Sequence, residues 1–238
     1  MEREVGAAGG PGVGEFVPPP EDTALAAFLD EYAPLGPAPL VEEVRVFQGR
    51  GVLEVWEAAE RLAGCPLPAP FWAYPWPGGV ALARVVLDEP EWVVGRRVLD
   101  LGTGGGIAAL AAARAGAREV VANDVDGWAL ATARIAAARQ GLVLTPLLGD
   151  LTQDLRVAAE FDVVLCGDLA YERRAAPRQR AFLERAYAAG ACVLVADAER
   201  AYFDPTGLRL LATYTVPVPR DLEGVAERTA RVYTFSSH

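Results

Sequence analysis

The sequence predicts an α/β fold: a Rossmann-like, seven-stranded, mostly parallel sheet with helices on both faces and an antiparallel C-terminal strand. Three observations carry that prediction. From residue 97 onward short apolar runs alternate with Ala-rich segments of helical spacing, the order expected of parallel strands joined by crossover helices. The first of these runs passes straight into a glycine loop and then a helix. After residue 205 the helical pattern gives way to two β-rich stretches. A chain of 238 residues, 52% hydrophobic and 23% charged, is large enough to enclose such a sheet in one core.

The elements follow in chain order. Residues 1–20, rich in Gly and ending Pro18-Pro19-Pro20, predict a flexible tail. Residues 22–34 place Leu25, Phe28, Leu29 and Tyr32 at helical spacing, and residues 40–57 alternate in the manner of a strand. The stretch from Cys65 to Gly79 carries too many prolines for a central strand or a continuous helix and reads as an ordered loop. Residues 21–79 thus form an N-terminal lobe and Pro/aromatic loop, and a helix over 80–87 opens a core over 80–238. Within it strands are expected at 97–101, 119–123, 142–148, 162–166 and 191–196. Helices over 107–115, 127–139 and 177–189 fill most of the gaps, the last two stopping at Gly141 and Gly190. Residues 208–216 and 230–235 supply a terminal pair on the sheet edge.

Composition excludes several chemistries. The 22 basic residues are all arginine, lysine is absent, and the one histidine is His238, so Schiff-base chemistry, a P-loop lysine and histidine triads are closed off. Cys65, Cys166 and Cys192 lack CxxC spacing and predict neither a disulfide framework nor a metal site; they read as buried packing residues. A net charge of −10 argues against nucleic acid and favours basic partners. No apolar run approaches the roughly 18 residues of a bilayer span, and residues 1–14 lack a secretory pattern, so no membrane association and a cytoplasmic location are expected.

The chemistry-bearing segment is Val98-Leu99-Asp100-Leu101-Gly102-Thr103-Gly104-Gly105-Gly106, a buried strand running into glycines that let a ligand approach the backbone. Asp124, at the end of the next strand, is suited to accept both hydroxyls of a ribose. Together they indicate a nucleoside cofactor. A carboxylate at Asp100, just before the first glycine, would repel a pyrophosphate and instead suits a cationic ligand. Taken alone, Asp124 or Asp150 reads as a helix N-cap, and Trp76 as a core plug; the joint order of the two acids with the glycine loop is what points to a cofactor.

The Asp-x-Gly-x-Gly-x-Gly pattern over Asp100, Gly102, Gly104 and Gly106 resembles motif I of class I S-adenosylmethionine-dependent methyltransferases. The resemblance implies that Asp100 faces the methionine end of the cofactor and that Asp150 addresses the adenine amine. Asp168-x-x-Tyr171 looks like the Asp/Glu-x-x-Tyr/Phe motif of the family 16 protein methyltransferases, most of which modify lysine. The run from Pro70 to Gly79, with Ala122-Asn123-Asp124-Val125-Asp126 and the segment from Gly167 to Glu172, resembles the electron transfer flavoprotein β-subunit lysine methyltransferase family over about residues 40–236. That resemblance implies that Trp76 lies beside the cofactor, that Asp168 and Tyr171 form the catalytic pair, and that the acceptor is a lysine-bearing protein, the electron transfer flavoprotein β subunit. Residues 197–205 depart from the Gly-Asp-Pro-Gly-Arg-like run of the family's animal members. Methylation of another protein, of the ribosomal-protein type, or of a small-molecule amine stays open on the same fold, as do a nicotinamide-dependent reductase and a cofactor-binding module without turnover; Asp100 argues against the reductase and the Asp168/Tyr171 pair against the silent module.

Overall fold

The computed structural model describes residues 17–236; residues 1–16 of the expected tail, and His238, lie outside the described residues. The chain opens with helix α1 (Asp22–Tyr32), which buries Leu25, Phe28 and Leu29. Strands β1 (Leu35–Ala38) and β2 (Val41–Phe47) form an antiparallel ribbon. The expected alternation over 40–57 ends at Phe47, because Val52 onward is helix α2 (Val52–Ala63). Val52, Val55, Ala58 and Ala59 repeat at three- and four-residue spacing, and Gly64 closes the helix in the left-handed conformation, its N–H donating to the Glu60 carbonyl at 2.9 Å.

Helix α3 (Pro77–Asp88) starts three residues before the expected position. Proline at the first helical position loses nothing, since that N–H has no intrahelical acceptor. The order then runs β3 (Arg97–Leu101), α4 (Ile107–Arg114), β4 (Glu119–Asp124), α5 (Gly127–Ala138), β5 (Thr145–Leu148), β6 (Val163–Gly167), α6 (Ala176–Ala188), β7 (Cys192–Asp197), β8 (Leu208–Pro217), the short α7 (Arg220–Glu223) and β9 (Glu227–Phe235). Strand β5 is shorter than expected: Gly141 at φ +67° and the bond from Leu142 N–H to the Ala137 carbonyl keep the chain in the closing turn of α5. Its Pro146 is tolerated because β5 is an edge strand.

The seven strands lie in the order β5-β4-β3-β6-β7-β9-β8. β9 inserts antiparallel between β7 and β8, so it alone opposes the rest, as expected of the C-terminal strand. Side chains alternate across the central strands: Val98, Val163, Leu165 and Leu194 face the cluster holding α3, α4, α5 and the N-terminal ribbon, while Leu99, Leu101, Val164, Val193 and Val195 face the cluster around Phe182 of α6. Both faces are therefore covered, which is why these strands read as unbroken apolar runs. Each such Val or Leu contributes about 1.5–3 kcal/mol of burial. Of the three cysteines only Cys166 is buried; Cys65 and Cys192 are half-buried. No helix among the described residues is long and apolar enough to cross a membrane.

Strand order reverses between β3 and β6, so the loops leaving their C-terminal ends part and open a crevice. Helix α3 closes one side of it by a backbone approach. A Cβ on Gly167 would lie 2.9 Å from Gly79 N and 3.2 Å from the Gly78 carbonyl carbon. Gly167→Ala should therefore cost about 2–3 kcal/mol, because backbone cannot yield as a side chain can. Gly64→Ala, where φ is +71° but the added carbon meets nothing within 4 Å, should cost only about 1 kcal/mol. Urea unfolding midpoints at unchanged m-value measure the difference.

Candidate active site

The crevice is a cleft whose walls include Trp76, Asp100, Gly102, Thr103, Gly104 and Gly167. Asp100 ends β3 and is 3% exposed. Its Oδ2 accepts from Thr103 Oγ1 at 2.6 Å and from Ala109 N–H, in the first turn of α4, at 3.1 Å. Burial, reinforced by the neighbouring Asp124, pushes its pKa up to about 6, although those two hydrogen bonds pull the other way. A buried acid beside an open cleft is electrostatically prepared for a cation.

The three predicted glycines serve different ends. Gly102, Gly104 and Gly106 all hold positive φ, at 70°, 51° and 87°. A side chain on Gly102 would collide with Leu169, and one on Gly106 would lie 2.7 Å from Ala133 Cβ, whereas Gly104 faces open space. Gly104 is thus the point at which a ligand can rest on bare backbone. Between them Gly105 gives way to the Trp72 carbonyl, which brings the aromatic loop down onto the glycine loop. Trp72 stacks on Trp128 with ring centroids 6.2 Å apart, and Phe28 of α1 packs edge-on to both.

Asp124 ends β4. Its Oδ2 accepts from Gly104 N–H at 2.8 Å and its Oδ1 from Asp126 N–H at 3.0 Å, so it fixes the glycine loop from below the cleft edge. Burial raises its pKa as well. Asp150 is differently placed. Its oxygens accept from Thr152 N–H, Thr152 Oγ1 and Gln153 Nε2, capping the short 3₁₀ turn Leu151–Gln153, and Arg178 lies 3.6 Å away. The geometry around Asp150 is that of a turn cap.

Trp76 precedes α3 and is half-buried, with Nε1–H donating to the Phe71 carbonyl at 2.8 Å. Phe71 meets the Trp76 ring at 5.7 Å and the Tyr171 ring at 5.9 Å, so three aromatics form one rim. Tyr171 is 49% exposed and available to an incoming partner. Asp168 is 7% exposed and sits at φ +52°, a strained value for a residue other than glycine. Its Oδ2 accepts from Gly78 N–H at 2.5 Å, and its Oδ1 from Ala198 N–H at 3.0 Å and Arg200 Nε at 3.1 Å. Burial raises the Asp168 pKa, and the Arg200 guanidinium opposes that rise. Asp168 therefore stands immediately behind the glycine wall of the cleft, while Tyr171 stands on its outer rim.

Sequence reasoning did not single out Thr103, Gly167 or Arg200. The Asp-x-x-Thr spacing at Asp100 could have flagged Thr103.

The chain is similar to known methyltransferases. A family model described as a methyltransferase domain matches residues 98–190. The rat electron transfer flavoprotein beta subunit lysine methyltransferase is 35% identical over 185 residues, covering 76% of this chain and 71% of the relative. The Xenopus laevis protein of the same name is 31% identical over 221 residues, covering 90% and 87%. This chain belongs to the electron transfer flavoprotein beta subunit lysine methyltransferase family. Among solved structures, a Thermus thermophilus 16S rRNA methyltransferase in complex with AdoMet and guanosine matches the fold at a TM-score of 0.50 and 23% identity, over 68% of this chain and 43% of that one. The family member described here is an S-adenosylmethionine-dependent methyltransferase.

A pH dependence follows from Asp100. Its folded pKa of about 6 lies above the roughly 3.9 of an unfolded aspartate, so its contribution favours the cofactor-free fold at low pH and is lost as pH rises through 6. A bound cation reverses that preference. Binding of S-adenosylmethionine at pH 6 should release about half a proton, falling towards zero at pH 8. Titration calorimetry in buffers of different ionisation enthalpy measures it, and Asp100→Asn should remove the release.

Proposed function

We propose that this methyltransferase modifies a lysine side chain of an acceptor protein, and that the acceptor is the electron transfer flavoprotein β subunit. The observation that carries the reading is the extent of the family match. Similarity to lysine methyltransferases runs over 185 residues, well beyond the 98–190 segment that a generic methyltransferase domain explains. The aromatic rim of Phe71, Trp76 and Tyr171 supports it, because such faces suit the methylene stem and cationic head of lysine.

In this reading Asp100 holds the methionine end, Gly102, Gly104 and Gly106 form the floor, Asp124 takes the ribose, and Asp150 closes the adenine side through the turn it caps. Trp76 forms the wall between cofactor and acceptor. Residues 21–79 supply the acceptor-side lobe and residues 80–238 the cofactor core. When bound, the cofactor supplies a methyl on a sulfonium: the amine lone pair forms the N–C bond, sulfur retains the S–C electron pair, and the product ammonium then loses a proton to solvent.

The chain's own task is to present that amine neutral and in line. An unperturbed lysine of pKa about 10.4 is almost entirely protonated at pH 7, a deficit of roughly 4–5 kcal/mol. Asp168 orients the amine from behind the glycine wall, and Tyr171 packs along its stem.

Transfer of radiolabelled methyl to purified electron transfer flavoprotein tests the proposal. With no lysine in the enzyme, label on lysine must sit on the acceptor. Label on a β-subunit lysine is expected; label on no lysine would refute the reading. Asp168→Asn should lower turnover about 100-fold while S-adenosylhomocysteine binding, followed by calorimetry, changes less than fivefold. Tyr171→Ala should act mainly on KM for the acceptor.

A further inference from the structure

Behind the cleft lies a charge cluster that the proposed chemistry has not used. Arg200 sits at its centre, with a side chain 17% exposed. Its Nε donates to Asp168 Oδ1 at 3.1 Å, its terminal nitrogens reach Glu223 at 2.9 and 3.4 Å, and its guanidinium carbon lies 5.3 Å from the centroid of the Trp76 ring. Glu223, on α7, is 3% exposed and is shared with Arg228, which donates to it at 2.8 Å. Burial pushes the Glu223 carboxyl up, but the guanidiniums of Arg200 and Arg228 outweigh it and hold it below the usual range. One side chain thus joins the exit of β6, the Trp76 wall and the connection between β8 and β9.

We propose that Arg200 is a positioning residue for methyl transfer: by neutralising Asp168 behind the glycine wall it allows the acceptor lysine to enter the cleft as the neutral amine. The inference rests on the lysine reading above. An unpaired carboxylate near an amine stabilises the ammonium and raises its pKa, and each unit of that rise removes about nine-tenths of the reactive form. Paired with Arg200, Asp168 presents an ion pair in place of a lone carboxylate, while Arg228 balances Glu223. Arginine suits this role because it does not deprotonate in the working range.

The other ionisable groups around Asp168 leave Arg200 as its direct counter-charge. From β6 comes the Cys166 thiol, which burial keeps neutral. From β7 comes Asp197, whose Oδ1 accepts from Arg200 N–H and whose Oδ2 has no hydrogen-bond partner among the described residues. Burial lifts Asp197 to about 6, and it adds negative charge above that pH. Glu199 is engaged with Arg231 of β9, and Arg228 with Glu223. The first turn of α3, from Pro77 to Val80, carries no charged side chain.

The test compares pH profiles of methyl transfer to electron transfer flavoprotein for the parent, Arg200→Gln, Arg200→Lys and Glu223→Gln. Arg200→Gln should move the acid limb of kcat, measured at saturating acceptor, up by about one pH unit, a loss of about tenfold at pH 7 that recovers by pH 9. Arg200→Lys should keep the limb within about 0.3 unit of the parent. The affinity for S-adenosylhomocysteine, read by calorimetry, should stay within about threefold in both. A loss of equal size at every pH, or an unmoved limb, overturns the proposal. Should Arg200→Gln fail to fold, Glu223→Gln decides: freeing Arg200 for Asp168 should move the limb to lower pH, and an unmoved limb overturns the idea. A parent that binds S-adenosylhomocysteine but labels no lysine overturns the acceptor reading and this proposal together, whereas a labelling parent with unshifted variants overturns this proposal alone.

Discussion

The hydrogen bond from Gly78 N–H to Asp168 Oδ2, at 2.5 Å, ties the start of α3 to the end of β6, and the cleft depends on it. An ionised acceptor at a helix N-terminus gains about 1.5–3 kcal/mol from the bond and up to about 2 from the helix dipole. Those gains would not cover the burial of a lone carboxylate, which costs several kcal/mol. The junction therefore also needs Ala198 N–H and Arg200 on the other oxygen. It further needs glycine on both sides, since a Cβ on Gly78 would fall 2.8 Å from the same carboxylate oxygen. With these conditions met, Trp76 is fixed at the mouth and Gly79 and Gly167 become its inner wall.

The same device recurs along the sheet. Asp100 at the end of β3 receives an N–H from the first turn of α4, and Asp126, just past β4, caps α5 through Trp128 N–H at 2.8 Å. Each acid first satisfies a helix that its own strand launches, which is why the chain can hold it in so dry a place. Asp100 and Asp126 are each lifted to about 6 by burial. Asp100, which lines the cleft, is thus in a form that a neighbouring cation would ionise: the charge that burdens the fold above pH 6 is the one a cation would offset.

What the sequence made legible follows from where information is local. The central strands were readable because both faces are buried, and the glycine loop because positive φ restricts the residue type. The N-terminal lobe was misread where Val52, Leu53 and Val55 mimic strand alternation over a few residues, while the helical period emerges only by Ala59. Trp76, Asp100, Gly102 and Gly104 meet at one cleft because they stand at fixed offsets from strand or helix ends. Asp150 illustrates the opposite limit: an acid after a strand can cap its own turn or face a ligand, and spacing alone does not separate the two. Arg200 was invisible for a different reason. Its partners lie 32 positions upstream and 23 downstream, and only the β7-β9-β8 edge brings them together.

The segment after β7, Ala196-Asp197-Ala198-Glu199-Arg200, shows what the fold holds fixed. Glu199 adopts φ +63°, a conformation natural to glycine and costing about 1 kcal/mol for another residue. Asp197 turns the chain by accepting from Arg200 N–H at 2.8 Å, and Ala198 N–H still reaches Asp168. A strained turn is tolerated at that expense because a relaxed one would carry the Arg200 guanidinium away from Asp168, leaving a buried carboxylate unpaired at several kcal/mol. The larger penalty decides the backbone, so the constraint on this segment is the landing point of one guanidinium and not the identity of the residues that lead to it.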